Sequence, residues 1–245
     1  MGRIALISDI HGNLPALDAV LADIAQRGIV RIICLGDLDG RGPSGAAVID
    51  RIRNCCEAVV RGNWDDGLVD PDARHPMLAW HRARLGPSRL AYLATLPLTL
   101  DLVLSNRRIR LLHASPQTVH EHVFPDAPPE RLRQMFDNTP LTGDGLLPEF
   151  VIYGDTHVPI WTPIDGRVLV NVGSVGSPLD DQPEATYAII EGQAGVTPGA
   201  LSVAIVRVPY DVERAIQDAI NADMPQWEVY AADLRTGRFT GAAAT

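Results

Sequence analysis

Apolar residues along this chain come in short runs, each closed by a glycine, an acid or a histidine and then followed by helical spacing or a turn. Arg3 to Ser8 is the first such run and ends at Asp9; Leu14 to Arg27 then carries Leu14, Leu17, Val20, Leu21 and Ile24 on one helical face. The pattern repeats at Arg31 to Leu35 before Gly36-Asp37, and a helix is expected over Ser44 to Arg53 with Pro43 suited to the first turn. A third run, Glu57 to Val60, closes at Gly62-Asn63. Three strand-loop-helix units in succession predict a parallel sheet joined by right-handed crossovers.

The rhythm changes after Asp66. Residues 67–97 contain Pro71, Pro76, Pro87 and Pro97 around two short helical patterns, Met77–Leu85 and Ser88–Leu96. They read as a helical insertion that either covers a site or serves as a packed connector. Leu98–Leu104 and Arg108–His113 predict a hairpin around Ser105-Asn106-Arg107. Next come a helix over Pro129–Phe136, strands over Phe150–Tyr153, Val168–Val172, Ala185–Ile190 and Leu201–Val208, and a helix over Val212–Ala222. A parallel first half and an antiparallel second half imply an α/β fold of two packed sheets with helices outside. Without repeats or linkers, a single domain over 1–245 is expected.

Composition narrows the partners. A chain of 245 residues, 46% of them hydrophobic, is long enough to bury a full core. A formal net charge of −9 argues against binding a nucleic-acid duplex, whereas a small anionic substrate is acceptable where cations reverse the local field. The N-terminal apolar run is too short for a signal peptide and no segment reads as a membrane span, so a cytoplasmic protein with no membrane partner is expected. Cys34, Cys55 and Cys56 are odd in number and lack CxxC spacing, and are expected to be reduced core residues.

The chemistry-bearing residues stand in five islands: Asp9-Ile10-His11, Gly36-Asp37, Gly62-Asn63-Trp64-Asp65, His113 and Gly154-Asp155-Thr156-His157. An aspartate at a strand end is often only a helix cap or turn former. Five islands, each after an apolar run, instead favour convergence at one sheet edge, where carboxylate, amide and imidazole ligands suit Mn²⁺, Fe²⁺ or Zn²⁺. Asp37 has two oxygens with which to bridge two cations about 3.5–4 Å apart, and a shared water would be the nucleophile.

Through ISDIHGN, LGDLDGRGP, VRGNWDD, LLHASP and YGDTH the sequence resembles the calcineurin-like metallophosphoesterase family, its small prokaryotic members above all. The similarity extends through Trp80, Leu90 to Pro97 and the stretch from Val170-Asn171 to Pro178, covering most of residues 1–191. It implies a four-layer α-β-β-α sandwich with two central mixed sheets flanked by helices. It further implies a phosphomono- or phosphodiesterase holding two divalent metal ions (Mn, Fe, Ni or Zn), one on Asp9, His11, Asp37 and His157 and the other on Asp37, Asn63, His113 and Asp155. The substrate would be a small phosphoester or nucleotide.

Two departures from the family pattern matter. Asp155 stands where the family's Gly-His-x-His has its first histidine, and a third carboxylate favours Mn²⁺ over Zn²⁺. Trp64 stands where phosphatase members often have the histidine that protonates a leaving alkoxide, and the loss favours acidic leaving groups. Trp64 is then either a packed loop residue or a surface on which a base or aryl group stacks. Asp65 either orients a metal ligand or reacting group or stabilises a turn, and Arg41 either contacts a phosphate or is a solvated loop arginine.

Of the remaining candidates, His120-Glu121-His122 is expected to be exposed, and His75 or His81 is a candidate replacement for the missing acid. Gly173, Ser174 and Gly176 are expected to form a tight turn whose amides bind phosphate or serve conformation alone, and Asp180-Asp181 reads as a solvated acidic turn. Against the enzyme stands an inactive scaffold of the same fold that binds a partner or nucleotide, as the retromer scaffold subunit of this superfamily does.

Overall fold

The computed structural model describes residues 2–241. In chain order the elements are β1 (Gly2–Ile7), α1 (Leu14–Gln26), β2 (Arg31–Cys34), α2 (Gly45–Cys55), β3 (Ala58–Val59), α3 (Asn63–Val69), α4 (Pro76–Leu85), α5 (Pro87–Ala94), β4 (Thr99–Leu104) and β5 (Arg107–Leu112). There follow α6 (Pro129–Gln134), β6 (Phe150–Tyr153), β7 (Ile160–Ile164), β8 (Arg167–Asn171), β9 (Ala185–Gly192), β10 (Leu201–Val208), α7 (Val212–Asn221) and α8 (Trp227–Thr236).

Two five-stranded sheets form, ordered β10-β9-β1-β2-β3 and β4-β5-β6-β8-β7. The first has β1, β2 and β3 parallel, with β9 antiparallel to β1 and β10 antiparallel to β9. In the second, β5, β6 and β8 are parallel between antiparallel edges β4 and β7. The expected four-layer sandwich is therefore present, but not as a parallel half and an antiparallel half: β9 and β10 return to the first sheet, and the second has its own parallel core. Strand pairing over such sequence distances leaves no mark on local periodicity.

The unbroken apolar runs are explained by burial on both faces. In β1, Ile4 and Leu6 point between the sheets with Ile33, Leu35, Leu111, Ile152 and Val170, while Ala5 and Ile7 point outward beneath the helices with Leu17, Val20 and Ile49. In β6, Phe150 and Ile152 face the first sheet, and Val151 and Tyr153 lie under Leu132, Met135 and Phe136 at α6. Successive residues of one strand thus serve two cores. Among the described residues no helix is long and apolar enough to cross a membrane.

Local differences have local causes. The hairpin turn is two residues, Ser105 (φ 53°) and Asn106 (φ 60°), so β5 starts at Arg107 and a type I′ turn sets the register. Cys34 is buried in β2, but Cys55 and Cys56 end α2 half-buried with sulfurs 3.9 Å apart, free thiols rather than core residues. Asp181 is exposed and pairs with Arg238, while Asp180 is largely covered by its ion pair with Arg207, so only the former fits a solvated turn.

Candidate metal centre

Three of the strands that lead to candidate ligands, β1, β2 and β6, end by turning the backbone sharply. Asp9 (φ 55°), His11 (φ 49°), Asp37 (φ 57°), Asp155 (φ 69°) and His157 (φ 60°) all occupy the left-handed region, which costs a non-glycine residue about 1–3 kcal/mol. Hydrogen bonds between turns hold that conformation. The amide of Asp9 donates to Gly36 O (3.0 Å), that of His11 to Asp37 O (2.9 Å), that of Gly154 to His113 O (2.9 Å) and that of Gly176 to Asp9 O (2.9 Å). The turns after β1, β2, β5, β6 and β8 are thus locked to one another at one rim, where both sheets present their parallel strands' C-terminal ends.

Six of the seven expected ligands, all but the half-buried Asn63, are buried there. His11 Nε2 lies 3.1 Å from His157 Nε2 and 3.5 Å from Asp37 Oδ2, and Asp37 Oδ1 lies 3.5 Å from His113 Nε2. The two oxygens of Asp37 therefore face different histidines. Asn63 Oδ1 lies 3.1 Å from His113 Nε2, and Asp9 Oδ1 lies 3.3 Å from His157 Nε2. Asp9, His11 and His157 bring ligand atoms within 4.8 Å of one another, as do Asp9, Asp37 and His113. Asp9 belongs to both groups, a sharing that the resemblance assigned to Asp37 alone.

The donor set fits cations on grounds of proton accounting. His113 Nδ1 donates to Leu35 O at 2.8 Å and His157 Nδ1 to Ser177 O at 2.5 Å, so both Nε2 atoms are lone-pair acceptors. His113 Nε2 then faces the Asn63 oxygen, and His157 Nε2 faces Asp9 Oδ1, which has no hydrogen-bond partner. Acceptors packed on acceptors repel unless a cation lies among them. The electrostatics treat the histidines differently. Burial pushes His11 well below its ordinary value, helped by His157, whereas at His113 burial is outweighed by Asp37, Asp9 and Asp155, which push it well above. For Asp9 burial is outweighed by His157 and its neighbours, holding the carboxyl below the usual range, while Asp37 is raised by burial.

Around the ligands, several expectations resolve. Asp65 is fully buried and accepts from the amides of Asp37 (2.8 Å), Leu38 (3.0 Å) and Gly62 (3.0 Å), so it clamps the Asp37 turn. Burial, then the charge of Asp37, push its carboxyl up to about 7 against those donors. Trp64 donates its backbone amide to Asp37 Oδ1 at 2.9 Å, and its indole, packed on Gly40, stands edge-on to His11 with ring centroids 6.2 Å apart. Arg41 is not a solvated loop arginine. Its guanidinium donates to Ser177 Oγ at 3.1 Å, lies 3.6 Å from Asp233 and sits over the Phe239 ring.

The other histidines divide. His81 is buried 2.9 Å from Asp39 Oδ1, and His75 caps α4, where its Nδ1 accepts from Met77 N and its ring stands edge-on to Trp64. His120 is exposed on Asp66 and His122 is exposed too, as expected, yet His122 sets Nδ1 2.9 Å from both oxygens of Asp155, which raises its affinity for a proton. Asp155 Oδ1 also lies 3.7 Å from His113 Nε2, so the unusual carboxylate serves two imidazoles.

The amides of the 173–177 turn are spent on Asn171, Thr186, Ser8, Asp9 and Ser174, which leaves them a conformational role and none for phosphate. Asn171 was not among the expected site residues. Its side-chain amide holds Gly154 O and Thr156 Oγ1, and the signal was an asparagine inside an otherwise apolar run, Val168–Val172.

A model of the calcineurin-like phosphoesterase superfamily domain matches residues 3–195. The chain is 31% identical to the uncharacterized protein MJ0912 of Methanocaldococcus jannaschii, across 91% of this chain and 94% of that one. With phosphodiesterase YfcE of Escherichia coli it shares 27% identity across 78% and 88%. A metallophosphoesterase from Sphaerobacter thermophilus superposes with a TM-score of 0.76 at 27% identity, covering 96% of this chain and 99% of that structure. The matched stretch takes in both sheets' parallel strands and all five turns that carry the ligands, and the chain belongs to the calcineurin-like phosphoesterase superfamily.

Proposed function

We propose that this chain is a metal-dependent phosphoesterase that hydrolyses small phosphomono- or phosphodiesters with good leaving groups. One observation carries the reading: the two oxygens of Asp37 each stand 3.5 Å from a different buried histidine, His11 and His113. Asp9, His11, Asp37 and His157 would hold one divalent ion, and Asp37, Asn63, His113 and Asp155 a second. The ions would supply a hydroxide nucleophile from water at neutral pH and Lewis-acid stabilisation of the phosphoryl oxygens. Three carboxylates in the donor set favour Mn²⁺ over Zn²⁺.

The chain's own residues set the substrate range. Asp65 fixes the Asp37 turn, and the carbonyls of Leu35 and Ser177 orient the rings of His113 and His157. Trp64 offers no exchangeable acid, and His81 is buried beside Asp39. Losing a general acid costs on the order of 10²–10⁴ in rate, least where the leaving group departs as a stable anion. Activated aryl esters are therefore expected to turn over and glycerol phosphate to turn over poorly.

The test is a survey of purified protein with Mn²⁺, Ni²⁺, Mg²⁺ and Zn²⁺ against p-nitrophenyl phosphate, bis-p-nitrophenyl phosphate and glycerol phosphate, repeated with Asp37→Ala. Turnover of the aryl esters with Mn²⁺, abolished by the substitution, is the expected result. Bound metal without turnover of any ester would point to a scaffold, and a preference for glycerol phosphate would refute the leaving-group argument.

A further inference from the structure

Beside the metal centre lies a cavity of about 540 Å³, within the range of small-molecule sites, whose walls include Arg41, Trp64, Met77, Met224, Tyr230 and Phe239. Two links tie it to the ligands. Trp64, whose amide holds Asp37, is one wall, and Arg41, another, is bonded to Ser177, the residue whose carbonyl orients His157. None of the seven candidate ligands lines the cavity itself, so Trp64 and Arg41 are the wall that it shares with the metal centre.

The lining chemistry selects the occupant. Indole, phenol and phenyl rings offer flat apolar surface, and the two methionines are unbranched thioethers that adapt to a ring's edge. Arg41 spends one of its five N–H donors on Ser177, pairs at 3.6 Å with Asp233, which also lines the cavity, and lies 5.3 Å from the Phe239 centroid, so an ion pair borders the same space as the rings. Burial lowers its pKa, as expected of a guanidinium taken out of water. An aliphatic alcohol or a sugar alone would leave most of that surface unmatched. A planar aromatic group would cover it.

The wall also has a distinct origin. Met224, Tyr230 and Phe239 come from the segment around α8, beyond residue 195 where the superfamily match stops, and Met77 comes from α4. The shared domain provides the ligands, and segments outside or inserted into it shape the space beside them.

We infer that this cavity binds a planar aromatic group, a nucleobase or an aryl ring, carried by the phosphoester that the metal centre receives. The inference deepens the phosphoesterase reading and rests on it for the phosphoryl group, so its test reads binding rather than turnover. Phenylphosphonate and methylphosphonate, whose C–P bonds resist hydrolysis, and thymidine 5′-monophosphate are titrated calorimetrically into the full-length Mn²⁺-loaded chain, its Met224→Trp variant and its Phe239→Ala variant.

The expected result is that phenylphosphonate binds about tenfold tighter than methylphosphonate and that both substitutions bring the two together. Thymidine 5′-monophosphate binding tighter than phenylphosphonate assigns the site to nucleobases; the reverse order assigns it to simple aryl esters. Equal affinity for the two phosphonates overturns the inference, and so does a preference that survives both substitutions. Phe239 is half-exposed, so its variant tests the cavity even where the bulkier change prevents folding. Failure of every ester in the survey to turn over would sink the phosphoesterase reading while leaving this affinity comparison to be decided separately.

Discussion

The smallest unit of this site is a buried carboxylate that holds a turn. Asp65 receives three backbone N–H groups, from Asp37, Leu38 and Gly62, in a place with no water to replace it. Leaving a buried donor unpaired costs about 1–3 kcal/mol, so Asp65→Ala, which strands three, is expected to lower stability by at least about 3 kcal/mol in urea unfolding. It should also weaken Mn²⁺ binding more than tenfold, a loss in line with removing a group that orients a ligand, read by calorimetry on whatever fraction stays folded. A turn former of no consequence to the centre would change stability and leave affinity alone. At the same scale, part of the site was legible in the chain and part was not. Asp9, His11, Asp37, Asn63, His113, Asp155 and His157 could be found because each follows an apolar run. The pairing of His122 with Asp155 could not, because the loop from 113 to 128 has no periodicity that fixes where its side chains point.

Elements contribute by how closely their ends approach. The turn after β8 touches the turn after β1 through Gly176, whose amide reaches Asp9 O, and a Cβ at that position would collide with the carbonyl of Ile10. Gly176→Ala is therefore expected to push apart the turns that carry Asp9 and His11, lowering the melting temperature by about 4 °C or more and reducing Mn²⁺ occupancy after dialysis. A variant that melts and loads as the parent does would show that the two turns are not mutually dependent. The same close packing explains which elements the sequence concealed. β7 carries Pro163 and alternates exposure, as an edge strand tolerates, so it lacked the apolar run that marked its neighbours. α3 begins at the candidate ligand Asn63 itself and spans only 7 residues, too few for helical spacing to register. α8 starts after Gln226 in the left-handed conformation, with no side-chain cap to announce it. Strands buried on both faces were easy to see, whereas their order across the sheets was invisible, since β9 reaches β1 from the far end of the chain.

Across the whole molecule, stability and recognition fall on different layers. The central strands β1 and β6 are packed between two cores, and β1 is paired on both edges, so their amides open only when the fold as a whole does. α8 lies outermost, packed on α7 and on the satellite cluster of Met77, Ala215, Ile216 and Met224, and its opening breaks neither sheet. Native-state hydrogen exchange is therefore expected to find amides of Ile4–Ile7 and Ile152–Tyr153 exchanging last and those of Trp227–Thr236 well before them. Because α8 forms one wall of the aromatic-lined cavity, a ligand with a ring there should raise α8 protection in proportion to its affinity. Phenylphosphonate should slow exchange across α8 where methylphosphonate at equal occupancy does not. Protection of α8 that matches β1 in the free protein would mean the outer layer opens with the core. Equal responses to the two phosphonates would mean that α8 takes no part in recognising the ring.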